Sequence, residues 1–296
     1  MSSIPPRLYK YRTFDSNSLR ALHEELVYYA SPGSFNDPLD CRPIVAIDIG
    51  DSEVEELWSC LFTTLYGERR AAAQLMEMGT SFDADDNPIP DSVPFANVAK
   101  AMARGIDGLL ARRLEPWGVL SLSSRWDSPL MWSHYADQHR GFCVEFDMAT
   151  SYCPSVRAVT YSKTRSLKAS DLYSWIVKGS ESARESAFAS YFFAKAPGWK
   201  YEKEWRVLRK EDGLGGAPFE ISAVYFGVRC ETSVMLSIGQ LLRDRGIRFY
   251  GMKFSPTSFE MQRKRLAVSA LHAEADRQRI GIQGFQDLVL LDSANA

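Results

Sequence analysis

The chain has 296 residues, of which 45% are hydrophobic and 24% are charged, as is ordinary for a globular protein. No apolar run approaches the roughly 18 residues that a membrane-spanning helix needs, and residues 1–12 lack the apolar core of a signal peptide. Five cysteines without a CxxC pair favour neither a disulfide framework nor a zinc site. We therefore expect a cytoplasmic protein in a reducing compartment.

The net charge of −2 conceals an uneven distribution. Residues 37–91 carry thirteen acidic and three basic side chains, a net charge of −10. Residues 163–210 carry eleven basic and five acidic side chains (net +6), and residues 243–265 carry seven and two (net +5). Such basic segments suit a phosphate-bearing ligand or a nucleic acid, although solvated helix faces give the same pattern.

The first elements follow from the spacing of apolar and turn-forming residues. Alternation over residues 8–12 (LYKYR) and 26–30 predicts strands, and helical spacing over 16–25 predicts a helix between them. Residues 31–40 (SPGSFNDPLD) predict a structured loop. Ser52 with Glu55 fits a helix capping box. With a polar stretch at 83–94 and a second helix near 95–113, this predicts an acidic helical insertion at about residues 52–113.

The remaining elements are predicted in the same way. Ser128 caps a short helix that begins at Pro129 and ends before Gly141, and residues 171–194 are mostly helical. Strands are predicted at residues 117–122, 141–146, 156–161, 204–209, 223–228 and 247–254. Helices are predicted at 232–245 and 259–278, the latter with a capping box of Thr257 and Glu260. Because helices and strands do not alternate regularly, we predict an α+β fold, with residues 1–296 forming a single domain.

Three polar groups lie at predicted strand ends: Tyr11 with Arg12, Ser121 with Ser123, and Glu202 with Glu204. Together they supply what cleavage of the bond between nicotinamide and ribose requires. An arginine holds a diphosphate through bidentate hydrogen bonds, and small hydroxyl groups orient the ribose. A fixed carboxylate stabilises the positive charge that develops on the sugar ring. The two glutamates also alternate, so on one strand their like charges would lie side by side.

The order aromatic-Arg, Ser-x-Ser and Glu-x-Glu resembles the Arg–Ser–Glu class of ADP-ribosyltransferases. The resemblance implies an ADP-ribosyltransferase-like mixed or antiparallel β core with peripheral helices. It implies that Arg12 binds the phosphate and ribose of NAD and that Ser121 or Ser123 organises the cleft. Glu204 would hydrogen-bond the nicotinamide ribose, and Glu202 would position the acceptor. The middle motif departs from the class, since it reads LSLSS instead of Ser-Thr-Ser.

Longer blocks resemble a bacterial family described as a domain of unknown function, numbered twenty-nine seventy-one. These blocks are LYKYR, SFNDPLD, MWSHYADQHRGFCVEFD, WKYEKEWRVL and VYFGVRC. The resemblance places Asn36 and Asp37 at the nucleotide cleft, with a capped tight turn as the alternative. His134 and Tyr135 complete the predicted cofactor site, with a place in the core as the alternative for Tyr135.

The predicted activity is mono-ADP-ribosyl transfer from NAD, which acts as a substrate, to a protein or nucleic acid. A role as a toxin or anti-phage effector, with a cognate antitoxin as a partner, is implied by the resemblance alone. We expect neither a metal, since no His or Cys has ligand spacing, nor a membrane partner. The alternatives are a NAD glycohydrolase, a non-catalytic nucleic-acid-binding module, and a metal-dependent nuclease that uses Asp37 and Asp40.

Overall fold

A computed structural model describes residues 3–79, 81–82, 88–89, 95–149 and 156–267, with residues 269 and 273. The helices are α1 (Ser16–His23), α2 (Asp51–Tyr66), α3 (Glu68–Gly79), α4 (Phe95–Leu114), α5 (Pro129–Tyr135), α6 (Ala169–Ile176), α7 (Glu181–Phe192) and α8 (Thr232–Leu241). The strands are β1 (Arg7–Arg12), β2 (Leu26–Tyr29), β3 (Ile44–Ala46), β4 (Ser81–Phe82), β5 (Pro88–Ile89), β6 (Gly118–Ser123), β7 (Phe142–Asp147), β8 (Arg157–Ala158), β9 (Thr160–Tyr161), β10 (Ser166–Lys168), β11 (Ala194–Lys195), β12 (Glu204–Arg209), β13 (Gly213–Gly216), β14 (Glu220–Phe226), β15 (Arg248–Phe254) and β16 (Met261–Leu266).

The largest sheet has eight strands in the order β16-β15-β14-β7-β1-β6-β12-β8. Its neighbouring strands are antiparallel except for the parallel pair β14 and β15. A large mixed sheet with several helices confirms the predicted α+β class. The described helices include none that is both long and apolar enough to cross a membrane.

The sheet is nearly interrupted between β1 and β6. β1 pairs with β7 at six positions, and β6 pairs with β12 at six positions. By contrast, the register between β1 and β6 consists of one pair, Tyr9 with Ser123. Because Ser123 is the last residue of β6, the two strands diverge from this pair in the direction of Arg12, which leaves space where a regular ladder would place hydrogen bonds.

The helices of the predicted insertion share a core with helices that come later in the chain. α2 and α4 contact each other, and α2 also contacts α6. Leu57, Ile106, Leu172 and Phe192 are fully buried in this core. A second cluster lies between the sheet, α1 and α8, and a third surrounds Trp132 of α5. The predicted helices at 52–113 are thus confirmed, whereas the single-domain organisation stays a prediction.

The helix predicted over residues 259–278 is wrong over residues 261–266. Met261–Leu266 is the strand β16, which pairs with β15 at six positions. Met261 is buried, and the guanidinium of Arg263 lies 4.7 Å from the ring centre of Tyr250. Pairing with a distant strand thus outweighs the local helical pattern. Nearly all residues after 267 lie outside the described residues.

Both predicted capping boxes are wrong as well. α2 begins at Asp51 rather than after Ser52, and the side chain of Glu53 accepts the backbone N–H of Gly50 at 3.2 Å. Thr257 precedes a strand, so it caps no helix. The strand predicted over 156–161 is divided between β8 and β9, which pair with β12 and β11. Apart from β5, the polar stretch at 83–94 lies outside the described residues.

Two glycines allow the loop after α5 to pack against the strand ends. A Cβ atom on Gly141 would lie 2.1 Å from the carbonyl oxygen of Arg12. A Cβ atom on Gly227 would lie 2.1 Å from the carbonyl oxygen of His139. The backbone N–H of Gly227 also donates to the carbonyl of Gly141 at 3.0 Å. Neither position accommodates a methyl group without movement of the backbone.

We therefore expect Gly141→Ala to lower the free energy of unfolding by about 1–3 kcal/mol, as overpacking generally does. Urea denaturation monitored by circular dichroism measures this change. Gly216→Ala is the matched control, since a Cβ atom there would meet no atom within 4 Å. Equal denaturation midpoints for the two variants would contradict the prediction.

Candidate functional site

The space between β1 and β6 forms a cavity of about 290 Å³. This volume is close to the lower end of ligand pockets, which span roughly 300–1,000 Å³. Its walls come from β1, β6, α5, the loop after β2 and the segments that carry Lys195 and Glu202. Aromatic side chains contribute part of the wall, namely Tyr9, Tyr11, Phe35 and Tyr135. The place where the sheet is least paired is thus the place with room for a ligand.

One wall of the cavity is an ionic cluster of five buried side chains: Asp40, Lys195, Glu202, Glu204 and Arg206. The fully buried guanidinium of Arg206 binds Asp40 through two hydrogen bonds of 3.0 and 2.6 Å. It binds Glu204 through two more, of 2.7 and 3.1 Å. Because Glu204 and Arg206 alternate on β12, their side chains lie on the same face of the strand. The carbonyl of Phe192 accepts a further bond at 2.6 Å.

Lys195 completes the ionic cluster. Its Nζ lies 2.5 Å from Glu202 Oε2, 2.9 Å from Glu204 Oε2 and 3.4 Å from Asp40 Oδ2. Three carboxylates thus face two cations. When all five groups are ionised, the cluster keeps one net negative charge beside the cavity.

The two glutamates differ in acidity. Burial by itself raises the pKa of Glu204, but the charges of Arg206 and Lys195 outweigh burial and hold that pKa well below its usual range. Burial raises the pKa of Glu202, Lys195 opposes the rise, and the neighbouring charge of Glu204 adds to it. Glu204 is therefore a firmly ionised carboxylate, whereas Glu202 takes up a proton more readily.

Hydroxyl groups hold the glutamates in place. Tyr135 donates to Glu202 Oε1 at 2.6 Å, and the side chain of Ser121 helps to lower the pKa of Glu204. The hydroxyl of Ser123 donates to the carbonyl of Glu202 at 2.6 Å. The backbone N–H of Glu204 donates to the hydroxyl of Tyr161 at 2.9 Å. Both the side chains and the backbone of this segment are thereby fixed.

A turn, rather than strand alternation, brings the two glutamates together. Glu202 ends a 3₁₀ helix (Pro197–Glu202), and β12 begins at Glu204. Lys203 between them has a left-handed backbone conformation, with φ 47° and ψ 50°. The prediction that both glutamates lie on one strand is therefore wrong. Lys195 contacts both glutamates, and Arg206 contacts Glu204.

Most of the predicted site residues line the cavity. They are Tyr11, Asn36, Ser121, Ser123, Tyr135, Glu202 and Glu204. Asp37 instead accepts hydrogen bonds from Trp199 Nε1 at 2.7 Å and from the N–H of Leu39 at 2.9 Å, as in the capped turn that was the alternative. His134 is exposed, with its ring 6.2 Å from that of Tyr201. Neither Asp37 nor His134 belongs to the cavity wall.

Arg12 lies beside the cavity but not on its wall. It lines a separate space of about 20 Å³ together with Lys10 and Glu25. Burial lowers the pKa of Arg12, and the charge of Asp15 opposes that shift. Glu204 therefore lines the cavity and Arg12 does not. Lys10, two residues earlier on β1, lines both spaces.

Lys10 is one of the site residues that the sequence did not predict. Its Nζ donates to the carbonyl oxygen of Ser121 at 2.8 Å, across the divergence of β1 and β6. Burial and the charge of Arg12 lower the pKa of Lys10 to about 7, although Glu204 and Glu202 oppose the shift. The available signal was a lysine between two tyrosines in the middle of a strand. Lys195, also missed, had a similar signal because it follows an apolar run, YFFA.

The carboxylates proposed for a nuclease metal are committed to other partners. Asp40 binds Arg206 and Lys195, whereas Asp37 binds Trp199. Within the described ranges, no group of three or more His, Cys, Asp or Glu side chains is arranged to hold a metal ion. The carboxylates of the ionic cluster bind protein cations instead.

Residues 131–207 match the model of a protein family described as "Protein of unknown function (DUF2971)". The match confirms the family resemblance predicted from the sequence blocks. It covers every member of the ionic cluster except Asp40, and it includes Tyr135. No curated protein and no solved structure matches the chain.

Removal of Arg206 should unbalance the ionic cluster. Because Asp40 and Glu204 would each lose a buried partner, we expect Arg206→Met to lower the free energy of unfolding by about 3–5 kcal/mol. Arg20→Met is the control, since Arg20 pairs with Glu24 on an exposed helix face and such pairs contribute about 0.3–0.5 kcal/mol. Chemical denaturation compares the two. Similar losses in both variants would show that the cluster contributes no more than a surface pair.

Acid should weaken the cluster through Glu204. Its folded pKa lies below its unfolded value, so its contribution to stability is present above the unfolded pKa and is lost as pH falls toward the folded pKa. Below about pH 4, we expect the wild type to lose up to about 1.4 kcal/mol per pH unit more than Glu204→Gln does. Urea titrations at a series of acidic pH values give both slopes. Parallel slopes would exclude Glu204 as a source of acid sensitivity.

Proposed function

We propose that the cavity between β1 and β6 binds NAD and that the protein cleaves its bond between nicotinamide and ribose, transferring ADP-ribose to a macromolecule. The observation that carries the proposal is the ionised carboxylate of Glu204, which Arg206 and Lys195 hold at the cavity wall. Positive charge develops on the sugar during such a cleavage. A carboxylate that is already fixed beside the sugar stabilises this charge without having to reorganise.

The electrostatics of the ionic cluster support a ligand with a positive centre. Its three carboxylates exceed its two cations by one charge. The nicotinamide ring of NAD is a cation, and the ribose becomes positively charged as the ring departs. Both would lie beside the negative charge of this cluster. The aromatic wall, which includes Tyr9, Tyr11 and Phe35, offers surfaces against which a flat ring packs.

Glu202 suits a role toward the acceptor. Its raised pKa brings it closer to the range in which a carboxylate accepts a proton at neutral pH. In the proposal, Glu202 takes the proton of the acceptor group while that group bonds to the ribose carbon and nicotinamide leaves with the bonding electrons. Tyr135 and Lys195 keep its two oxygens oriented.

The proposal includes an ADP-ribosyltransferase-like arrangement of the fold. Support comes from a mixed sheet that opens between β1 and β6, with Tyr11, the serine pair and Glu204 around the opening. Arg12 does not line the cavity, so within this proposal it acts only through its charge on Lys10. A toxin or phage-defence role, and an antitoxin partner, rest on the family resemblance alone.

Hydrolysis of NAD at the same site is the second candidate. The favouring observation is that both carboxylate oxygens of Glu202 already have protein partners, Tyr135 and Lys195. As an acceptor, a water molecule needs fewer contacts with the cavity wall than a macromolecule does. The non-catalytic nucleic-acid-binding reading is weaker, because Lys195 and Arg206 of the basic segment 163–210 are buried and paired. The charges of Lys195 and Arg206 are therefore not available to bind the phosphates of a nucleic acid at the surface.

Glu204→Gln should decrease the rate of nicotinamide release from NAD by about 10²- to 10³-fold, the usual effect of removing one preorganised electrostatic group. Chromatography of the released nicotinamide measures the rate, and circular dichroism verifies the fold. Glu185→Gln is the control, since Glu185 lies on the surface with 59% of its side chain exposed. Equal rates in wild type and Glu204→Gln would refute the proposal.

The same assay separates transfer from hydrolysis when labelled NAD is incubated with a cell lysate and then with nuclease or protease. Label that is released by one of the two digestions identifies the acceptor polymer. Free ADP-ribose without a labelled polymer identifies the hydrolase. We expect Glu202→Gln to reduce labelling more than it reduces nicotinamide release.

A further inference from the structure

We infer that Lys10 is the anion-binding residue of the cavity and that it contacts a phosphate group of the ligand. This is the contact that the sequence resemblance assigns to Arg12. The inference rests on the proposed function for the identity of the ligand, a dinucleotide that carries a diphosphate. The assignment of Lys10 as the anion-binding residue rests on its position and surroundings.

The first argument is the position of Lys10. Because β1 and β6 pair only at Tyr9 and Ser123, the carbonyl of Ser121 faces the gap, and Lys10 Nζ donates to it at 2.8 Å. An ammonium group has three donors, of which this contact uses one. The side chain lines the cavity, so an acceptor group of a ligand there would be within reach of its other donors.

The second argument is that the other cations of the cavity wall are already paired. Arg206 binds two carboxylates and the carbonyl of Phe192. Lys195 lies within 3.4 Å of three carboxylates. Lys10, by contrast, forms no ion pair in the part of the chain that the structure describes. It is the cation of the wall that has donors to spare.

The third argument is the charge around Lys10. Arg12 on its own strand and Arg206 on β12 repel its ammonium form, whereas Glu202 and Glu204 attract it from the far side of the cavity. Glu25 lines the small space behind Lys10. The two attracting carboxylates are themselves bound by Lys195. The ammonium is therefore incompletely compensated in a partly buried position, which costs free energy, and a bound oxyanion would lower that cost.

Binding of an anion should then be coupled to the uptake of a proton. The pKa of Lys10 is about 7, so much of it is neutral slightly above neutral pH. An oxyanion stabilises the ammonium form and raises this pKa. The complex therefore holds more protons than the free protein, and affinity falls as pH rises above about 7.

Titration calorimetry with ADP-ribose tests the inference. ADP-ribose carries the diphosphate but no nicotinamide, so its binding does not depend on turnover. At about pH 8, in two buffers of different ionisation enthalpy, we expect the wild type to take up close to one proton on binding. We expect Lys10→Met to take up none and to bind at least about tenfold more weakly, since a charge-assisted hydrogen bond is lost.

Two variants keep the test independent of folding. Lys10→Arg carries a permanent charge, so it should bind ADP-ribose without proton uptake. Lys163→Met removes an exposed lysine that does not line the cavity, so it should behave as the wild type. Thermal unfolding verifies that each variant is folded.

Undiminished affinity in Lys10→Met, unchanged proton uptake in that variant, or no binding of ADP-ribose to the wild type would each overturn the inference. Failure of the proposed function gives a different result. If ADP-ribose binds with proton uptake that depends on Lys10 but NAD is not cleaved, the anion site stands and the activity does not. If nicotinamide release depends on Glu204 while ADP-ribose affinity does not depend on Lys10, the proposed activity is supported and the proposed anion site is refuted.

Discussion

The guanidinium of Arg206 is bound along two edges, by Asp40 from the loop after β2 and by Glu204 from its own strand. It also donates to the carbonyl of Phe192 at the end of α7 and to the Sγ of Cys41. One buried cation thus connects the loop, the sheet and the helical layer. Buried charges are tolerated only as a complete set, because each removal leaves a partner without compensation. The orientation of Glu204 toward the cavity follows from this set rather than from any flexible adjustment.

The neighbouring wall of the cavity, between β1 and β6, has incomplete strand pairing. β1 and β6 share a single residue pair, so backbone groups that a full ladder would pair are left at the surface of the cavity. Lys10 satisfies one carbonyl there and faces the space with the rest of its donors. The site therefore combines a carboxylate whose pKa is held well below its usual range with an amine whose pKa is lowered to about 7. That contrast is typical of sites where two titratable groups have different tasks.

Local periodicity was enough to predict much of the sheet and part of the site. Residues 8–12 and 204–209 form strands because their alternation suits a half-buried sheet, and Ser128 caps α5 as its position before Pro129 indicates. β16 was missed because its stability comes from pairing with β15 and from the contact of Arg263 with Tyr250, neither of which is local. Lys10 and Arg12 occupy the same face of β1, so alternation cannot distinguish them. Which of the two reaches the cavity depends on where β6 diverges, and that is a property of the assembled sheet.

The single residue pair between Tyr9 and Ser123 reflects a trade-off between the stability of the sheet and ligand binding. Further backbone hydrogen bonds between β1 and β6 would strengthen the sheet, but they would close the space in which a ligand lies. Substitutions selected for heat resistance alone would therefore tend to extend this ladder and so eliminate the cavity, a trade-off known from enzymes whose active regions are locally unstable. A protein in which β1 and β6 were fully paired would be more stable but would have no cavity between these strands.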